Sequence, residues 1–304
     1  MSRRGVAVTL AGGLGLVAVV VTAAVVAAVA LVALGLPAEG RAEDAPPTAV
    51  ETPSALAPAR RPTVLVVALA PGDPVLQAGV VRGSEVLLAR GFEVAVARAI
   101  ADRLRIPQVR FVRAPSTERL LLGDAPAWDV ALAAVRPTRL ASDRGSVTRP
   151  YLATDTVVLL RRGTARPRTL DELRTRILCA IRATEAVRTA TWIRPAQRTI
   201  VAPGPDRLVR LVQTGACDAA LLDPTAATRV VEGHRAVLGP IAARVRWDGG
   251  LVALVHRDAP VPAAAVDRAI VALRANGTLG RLARFWLGFD PASLPIVRAD
   301  PSVP

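Results

Sequence analysis

The 304-residue sequence predicts an α/β fold preceded by one N-terminal hydrophobic helix, on three observations. Gly5 to Leu36 runs for 32 residues without a charged side chain. From Thr63 onward short β-branched apolar runs recur, each of a length suited to a buried strand. Amphipathic stretches at helical spacing separate them, and this βαβ rhythm implies parallel strands covered on both faces.

At about 1.5 Å per helical residue, the charge-free run exceeds the roughly 30 Å hydrocarbon thickness of a bilayer. Arg3 and Arg4 precede it and the next basic residue is Arg41, which keeps the amino terminus cytoplasmic and sends the rest outside. A cleavable signal has an apolar region of about 7 to 15 residues ending at a small-residue site. This run is about twice that, yet Ala33-Leu34-Gly35 and Gly40-Arg41-Ala42 are weak candidate cleavage sites. The expectation is an uncleaved membrane anchor over residues 1–36, with a cleaved leader as the alternative. Either places the remainder outside the cytoplasm, anchored to the cell membrane or secreted. A lipoprotein anchor is excluded, because the only cysteines are Cys179 and Cys217.

Residues 37–61 are rich in Pro, Ala, Glu and Thr without a hydrophobic period and read as a flexible tether. Thr63 to Leu69 is a buried strand closed by the turn Pro71-Gly72-Asp73-Pro74. Phe92, Val96, Ile100 and Leu104 fall on one helical face, while Glu93, Arg98, Asp102 and Arg103 are expected to point away from it. Strands follow at Val109 to Val112, Asp129 to Val135 and Thr156 to Leu160. Thr169 and Glu172 form a capping-box pattern ahead of Leu173. Strand Ile177 to Ile181, a helix over Asp206 to Gln213 and strand Asp218 to Leu222 continue the rhythm. After the strand Leu251 to Val255 come helices over Val261 to Ala275 and Thr278 to Leu287, parted by Asn276-Gly277, where glycine can take the left-handed cap. There is no internal repeat.

The formal charge of +14 falls only to +12 without Arg3 and Arg4. The chain has no lysine and is crowded with Ala, Arg, Val, Gly and Pro, a composition of GC-rich coding rather than of a binding face. Its arginines are scattered among acids with no aromatic-interleaved basic strip, which argues against nucleic acid as a partner. Cys179 and Cys217 sit at two apolar runs. If these are neighbouring parallel strands, a disulfide fits and contributes roughly 3 to 4 kcal/mol; the alternative is two buried free thiols.

No Gly-rich phosphate loop, G-x-S-x-G elbow, H-E-x-x-H or paired-thiolate motif occurs, and no cofactor is implied. His234 and His256 are too few and too separated for a metal site and are read as structural or surface residues. Trp128, Trp192, Trp247 and Trp286 are read as packing or interlobe residues.

The ordered fragments together carry a resemblance. Gly91-Phe92-Glu93 opens an amphipathic helix; Trp128-Asp129-Val130-Ala131, Thr138, Thr148 and Pro150-Tyr151 follow. Then come Thr169-Leu170-Asp171-Glu172-Leu173, Gly215, Asp218-Ala219, Asp223, Asn276-Gly277-Thr278 and Phe285-Trp286-Leu287-Gly288. In this order and spacing they resemble the family 3 extracellular solute-binding proteins of ABC importers for polar amino acids, over about residues 62–288.

The resemblance implies a two-lobed type II periplasmic-binding fold, with crossings near Thr156 to Arg161 and Gly249 to Val255. Lobe one would be 62–155 plus 250–288, lobe two 156–249, and 289–304 a C-terminal tail. It places Asp223 where the family pairs an Asp with the ligand α-ammonium; the alternative role is a helix N-cap ahead of Pro224. Counting three residues from Thr138, the family's carboxylate-gripping Arg lands on Ala141, and Arg136, Arg139 and Arg144 surround that gap. The family's Gly-Thr-Thr/Ser turn reads here as Arg182-Ala183-Thr184, and the first turn, Pro71 to Gly79, lacks the family's aromatic clamp. Asp223, Arg182, Thr184, Arg136 and Thr138 are therefore the candidate ligand-binding residues. Arg136 and Arg182 either rebuild the recognition of an anionic or zwitterionic solute or are solvated rim residues.

The function implied is non-enzymatic capture of a small polar, amino-acid-like or anionic solute between two closing lobes for an ABC permease. The alternatives are a membrane-anchored sensor signalling to a membrane partner, and a cyclohexadienyl-dehydratase-like enzyme using Glu185 or Asp223.

Overall fold

The computed structural model describes residues 62–195, 198–234, 238–245 and 249–297. No helix among them is long and apolar enough to cross a membrane; the charge-free run at 5–36, the tether and Trp247 lie outside the described residues. The chain begins with β1 (Val64–Leu69), β2 (Ala78–Arg82), β3 (Glu85–Arg90), α1 (Phe92–Leu104) and β4 (Gln108–Arg113). Next come α2 (Thr117–Leu122), β5 (Val130–Ala131), α3 (Arg139–Arg144), β6 (Gly145–Leu152) and β7 (Thr156–Arg161). They lead into α4 (Leu170–Arg174), β8 (Leu178–Ile181), α5 (Glu185–Ile193), β9 (Thr199–Ala202) and α6 (Pro205–Gln213). β10 (Ala219–Leu222), α7 (Pro224–His234), β11 (Leu238–Val245), β12 (Leu251–His256), α8 (Ala263–Ala275) and α9 (Thr278–Leu287) follow. A 3-10 turn, Pro291–Ser293, and β13 (Ile296–Val297) close the described chain.

Two sheets result. The first has the order β2-β3-β4-β1-β5-β12-β6 and the second β13-β11-β7-β10-β8-β9. β1 runs parallel to β4 and β5, and β8 runs parallel to β9 and β10, as alternating strands and helices dictate. The strands that break the rhythm, β7 and β12, pair antiparallel with β10 and β5. Each sheet is covered on both faces: α1, α8 and α9 bury one apolar cluster against the first sheet, and α2 and α3 bury another on its opposite face. α6 and α7 cover one face of the second sheet, with α4 and α5 on the other.

The chain passes from the first sheet to the second between Leu152 and Thr156, back between Val245 and Leu251, and to the second again between Leu287 and Ile296. The segments expected as crossings, 156–161 and 249–255, are thus mostly strands of a single sheet each, and the connections are the short pieces preceding them. Two of these pieces lie side by side: a Cβ on Gly250 (φ 156°) would sit 2.6 Å from the Leu152 carbonyl oxygen, so only glycine fits. The third crossing lets β13 pair in parallel with β11. Arg244 on β11 ties two crossings together: it is ion-paired with buried Asp155, and its Nε donates to the Leu294 carbonyl at 3.2 Å.

Local expectations meet mixed outcomes. Phe92, Val96 and Ile100 are buried as the α1 period requires, and Arg98, Asp102 and Arg103 are exposed. Glu93 is not: it is fully buried, because the first turn of α1 is sunk beneath the loop that follows β1. The strand expected over Asp129 to Val135 pairs only at Val130–Ala131. Leu132, Ala133 and Val135 are apolar because the loop itself is buried, and Ala134 breaks the extension with a left-handed φ of 51°. Cys179, on β8, and Cys217, just before β10, are joined by a disulfide with Cα atoms 6.1 Å apart, as adjacent parallel strands allow. Gly277 takes φ 75° between α8 and α9, the left-handed position expected.

Candidate ligand cleft

In open parallel sheets, ligand groups gather at the carboxyl ends of the strands. Both sheets place candidate residues there. β8 and β10 are hydrogen-bonded neighbours, so the turn after β8, with Arg182 and Thr184, lies beside Asp223 at the end of β10. β1 and β5 are neighbours likewise, which sets the loop after β1 against the loop carrying Arg136 and Thr138. The five candidates therefore fall into two groups, one on each sheet.

Asp223 is half-buried and caps α7: its Oδ1 accepts from the Ala226 N–H and the Thr225 hydroxyl, both at 2.8 Å. The cap role is occupied. Its geometry spends one carboxylate oxygen on the cap and fixes where the other stands. Thr184 precedes α5, and its hydroxyl donates to the Ile181 carbonyl at 2.7 Å, closing the turn that presents Arg182. Within that turn Ala183 adopts a left-handed φ of 59°. Arg182 is exposed, and its guanidinium has no hydrogen-bond or ion-pair partner among the described residues.

On the first sheet Thr138 caps α3, accepting from the Ala141 N–H at 3.3 Å. Ala141 is fully buried against Leu120 and Leu121, so position 141 packs as core in this chain and the carboxylate-gripping arginine has no equivalent there. Arg136 is exposed and donates to the Thr154 hydroxyl at 3.3 Å, a contact to the first crossing segment. Among the described residues the structure shows no contact between the two groups of candidates. The tie from one side to the other uses residues that the sequence pattern did not single out: Asp73, in the loop after β1, is ion-paired at 2.9 Å with Arg229 on α7. An acid in the strand-closing turn Pro71-Gly72-Asp73-Pro74 was the available signal. A cavity of about 310 Å³ opens between the same loop and the β2–β3 hairpin, lined by Pro71, Gln77, Val86 and Arg113; none of the five candidates lines it.

The first-sheet loops converge on Glu93. Its backbone N–H donates to the Leu76 carbonyl at 2.9 Å, pinning the loop after β1. Its Oε1 accepts from the Ala134 N–H at 2.8 Å and from the Tyr151 hydroxyl, while Oε2 is buried without a partner. Burial pushes this carboxyl from the ordinary 4.5 up to about 7, against the opposing pull of the Tyr151 and Ala134 hydrogen bonds. Burial, and then the Glu93 charge, raise the Tyr151 phenol well above its usual value.

The acids Glu185 and Asp223 are both engaged in local contacts. Glu185 is ion-paired with Arg188, and Asp223 is held by its cap. His256 stacks edge-on against Trp128 with centroids 4.9 Å apart, and His234 Nδ1 lies 3.1 Å from the Val230 carbonyl oxygen. Among the described residues no group of three His, Cys, Asp or Glu side chains could hold a metal ion.

The fold matches solved structures at low identity. The unliganded, open L-cystine solute receptor of Neisseria gonorrhoeae matches with a TM-score of 0.61 at 17% identity, over 77% of this chain and 96% of that one. An ancestral cyclohexadienyl dehydratase matches with 0.58 at 17%, over 75% and 93%. An ancestral cationic amino acid solute-binding protein gives 0.54 at 17%, over 74% and 96%. No curated protein sequence matches. These likenesses establish the type II periplasmic-binding fold. Residues 87–289 match bacterial extracellular solute-binding proteins, family 3, and the chain belongs to that family.

Proposed function

We propose that the protein works outside the cytoplasm and captures a small polar, amino-acid-like or anionic solute between its two sheets, delivering it to an ABC permease. The observation that carries the anionic preference is the exposed Arg182 guanidinium at the carboxyl end of β8, unpartnered among the described residues, in a turn fixed by Thr184. A guanidinium presents a planar fork that matches a carboxylate and is always charged. Arg136 and Arg113 add exposed cationic groups on the first-sheet side. Asp223, beside Arg182, is the one carboxylate of the candidate set and would receive the ammonium of a zwitterion. Capture works by differential contact: a solute touching both sides favours the shut arrangement by the free energy of contacts absent when open.

Binding is favoured over catalysis because the acids at the strand ends are each engaged, Asp73 by Arg229, Glu185 by Arg188 and Asp223 by its cap, while Glu93 is fully buried. A general acid or base needs a free carboxyl tuned toward the working pH.

Titration calorimetry of the full chain with L-glutamate, L-arginine, L-cystine and succinate tests the reading. An anionic or zwitterionic compound is expected to bind without being consumed, and Arg182→Ala to weaken it by tenfold or more. Absence of binding by every compound, or turnover of prephenate, would overturn it.

A further inference from the structure

The Glu93 side chain bonds Ala134 and Tyr151 rather than any of the five candidate residues, and its role rests on reading the loop 132–138 as part of the ligand cleft. Three features meet on this one side chain. Its backbone N–H and that of Phe92 hold the loop after β1, through the Leu76 and Val75 carbonyls at 2.9 and 3.0 Å. Its carboxylate Oε1 holds the Ala134 N–H, the residue whose left-handed φ of 51° turns the chain toward Arg136 and Thr138. The same oxygen accepts from Tyr151, which stands next to Leu152, the last first-sheet residue before the crossing to β7.

A non-glycine residue in the left-handed region persists only where its surroundings hold it. At Ala134 the holding group is the Glu93 oxygen. A carboxylate accepts more strongly when ionised, so the loop is held most firmly by the charged form. Protonation would leave the new O–H on Oε2, which has no acceptor in reach, and would weaken both bonds to Oε1. The ionised form is nevertheless the costly one, because the group is fully buried. A buried acid that costs stability while ordering a cleft loop is the pattern of a group retained for positioning.

We propose that Glu93 is a positioning residue: its carboxylate sets the cleft loop 134–138 in its solute-receiving shape and couples that loop, through Tyr151, to the first crossing between the sheets. Solute affinity then falls as pH drops through about 7, where this carboxyl gains its proton. The elements packed on α1 are β3, β4, α8 and α9. Their charged groups are engaged elsewhere or exposed: Glu85 with Arg110, Asp267 with Arg149, Arg274 with the Pro150 carbonyl, Arg281 with the Thr278 hydroxyl, Arg284 with Asp290, and Arg90, Arg113 and Arg268 at the surface. Tyr151, from β6, is the titratable group bonded to Glu93.

The test compares the full chain with Glu93→Gln and, as a milder change that keeps the carboxylate, Tyr151→Phe. Amide hydrogen exchange at Ala134, Val135, Arg136 and Thr138 and calorimetry with L-glutamate, L-arginine, L-cystine and succinate are read from pH 5.5 to 8.5. The expected result is at least tenfold faster exchange at these amides in Glu93→Gln at pH 8, with a smaller change in Tyr151→Phe. Affinity for whichever probe binds should fall at least tenfold and lose its dependence on pH, although Glu93→Gln melts at a higher temperature than the natural chain at pH 8. A purely structural role would move melting and affinity together. Unchanged exchange and affinity in Glu93→Gln overturn the proposal. If none of the four probes binds the natural chain, the capture reading fails, and the exchange result alone decides the positioning role.

Discussion

The two sides of the candidate cleft are held by different means. On the first sheet, Glu93 reaches 41 residues along the chain to Ala134 and 58 to Tyr151, so the loop geometry depends on one buried ionisable group. On the second sheet, Thr184 and Asp223 are each satisfied three residues away, by Ile181 and Ala226, and a disulfide fastens the strands beneath them. Long-range polar contacts make a loop conditional on the state of its partner; local caps and a covalent bond make it independent of solution conditions. The first side is accordingly the adjustable one and the second the fixed anvil.

The largest expected effect breaks the fixed side. Cys179 and Cys217 close a loop with a sequence separation of 38, for which the chain-entropy relation gives about 4 kcal/mol. Replacing both by Ala should lower the urea-unfolding free energy by roughly that amount, and a loss below about 1 kcal/mol would show that caps alone fix β8 against β10. Next comes Arg244→Ala, which removes the Arg244 ion pair from Asp155 and frees the Leu294 and Ala292 carbonyls. Leaving a buried carboxylate without that partner should cost about 3 kcal/mol, read by thermal or urea unfolding. A loss as small as that of an exposed pair such as Arg119–Asp124, about 1 kcal/mol at most, would mean the crossings are tied by backbone contacts instead.

The adjustable side should betray itself through pH. Glu93 binds its proton more tightly folded, at about 7, than at its ordinary 4.5. Its contribution to stability is therefore fully present below pH 4.5 and lost as pH rises through 7, by up to about 3 kcal/mol. The difference in unfolding free energy between the natural chain and Glu93→Gln should follow that curve, with the glutamine variant gaining on the natural chain at high pH. A difference constant from pH 4 to 8 would show that Glu93 does not change its protonation on unfolding.

What the sequence made legible follows the same division. The buried parallel strands, the α1 and α9 periods, the glycine break between α8 and α9 and the cysteine pairing could all be read, because each is written in neighbouring residues or in one repeated spacing. The β2–β3 hairpin was missed: Val80, Val81 and Leu88 are exposed on it, so no apolar alternation marks its buried face. Composition places Glu93 on the solvent side, because an acid in an amphipathic helix belongs there; what buries it is the loop after β1 together with a loop more than forty positions away. Asp73 and Arg229 escaped notice for the same reason, since an ion pair between a β1 turn and the middle of α7 leaves no local pattern. Candidates on the second sheet were found by counting from motifs, and Thr184 and Asp223 lie in turns whose local chemistry could be anticipated.

The smallest effect sharpens the comparison at Asp223, where the two roles weighed for one carboxylate can be separated. Asp223→Ala removes the acceptor for the Ala226 N–H and the Thr225 hydroxyl, and should cost about 1 kcal/mol of stability, as lost N-caps do. Asp223→Asn keeps an acceptor oxygen in the same place and should stay within a few tenths of a kcal/mol of the natural chain. The asparagine does lack the negative charge, so a zwitterionic solute such as L-glutamate should lose affinity in both variants, while succinate, which carries no ammonium, should not be weakened by the asparagine. Equal loss of stability in the two variants would deny the cap. Equal affinity of the natural chain and Asp223→Asn for a zwitterion would leave Asp223 a cap alone, and would move recognition on the fixed side entirely to Arg182.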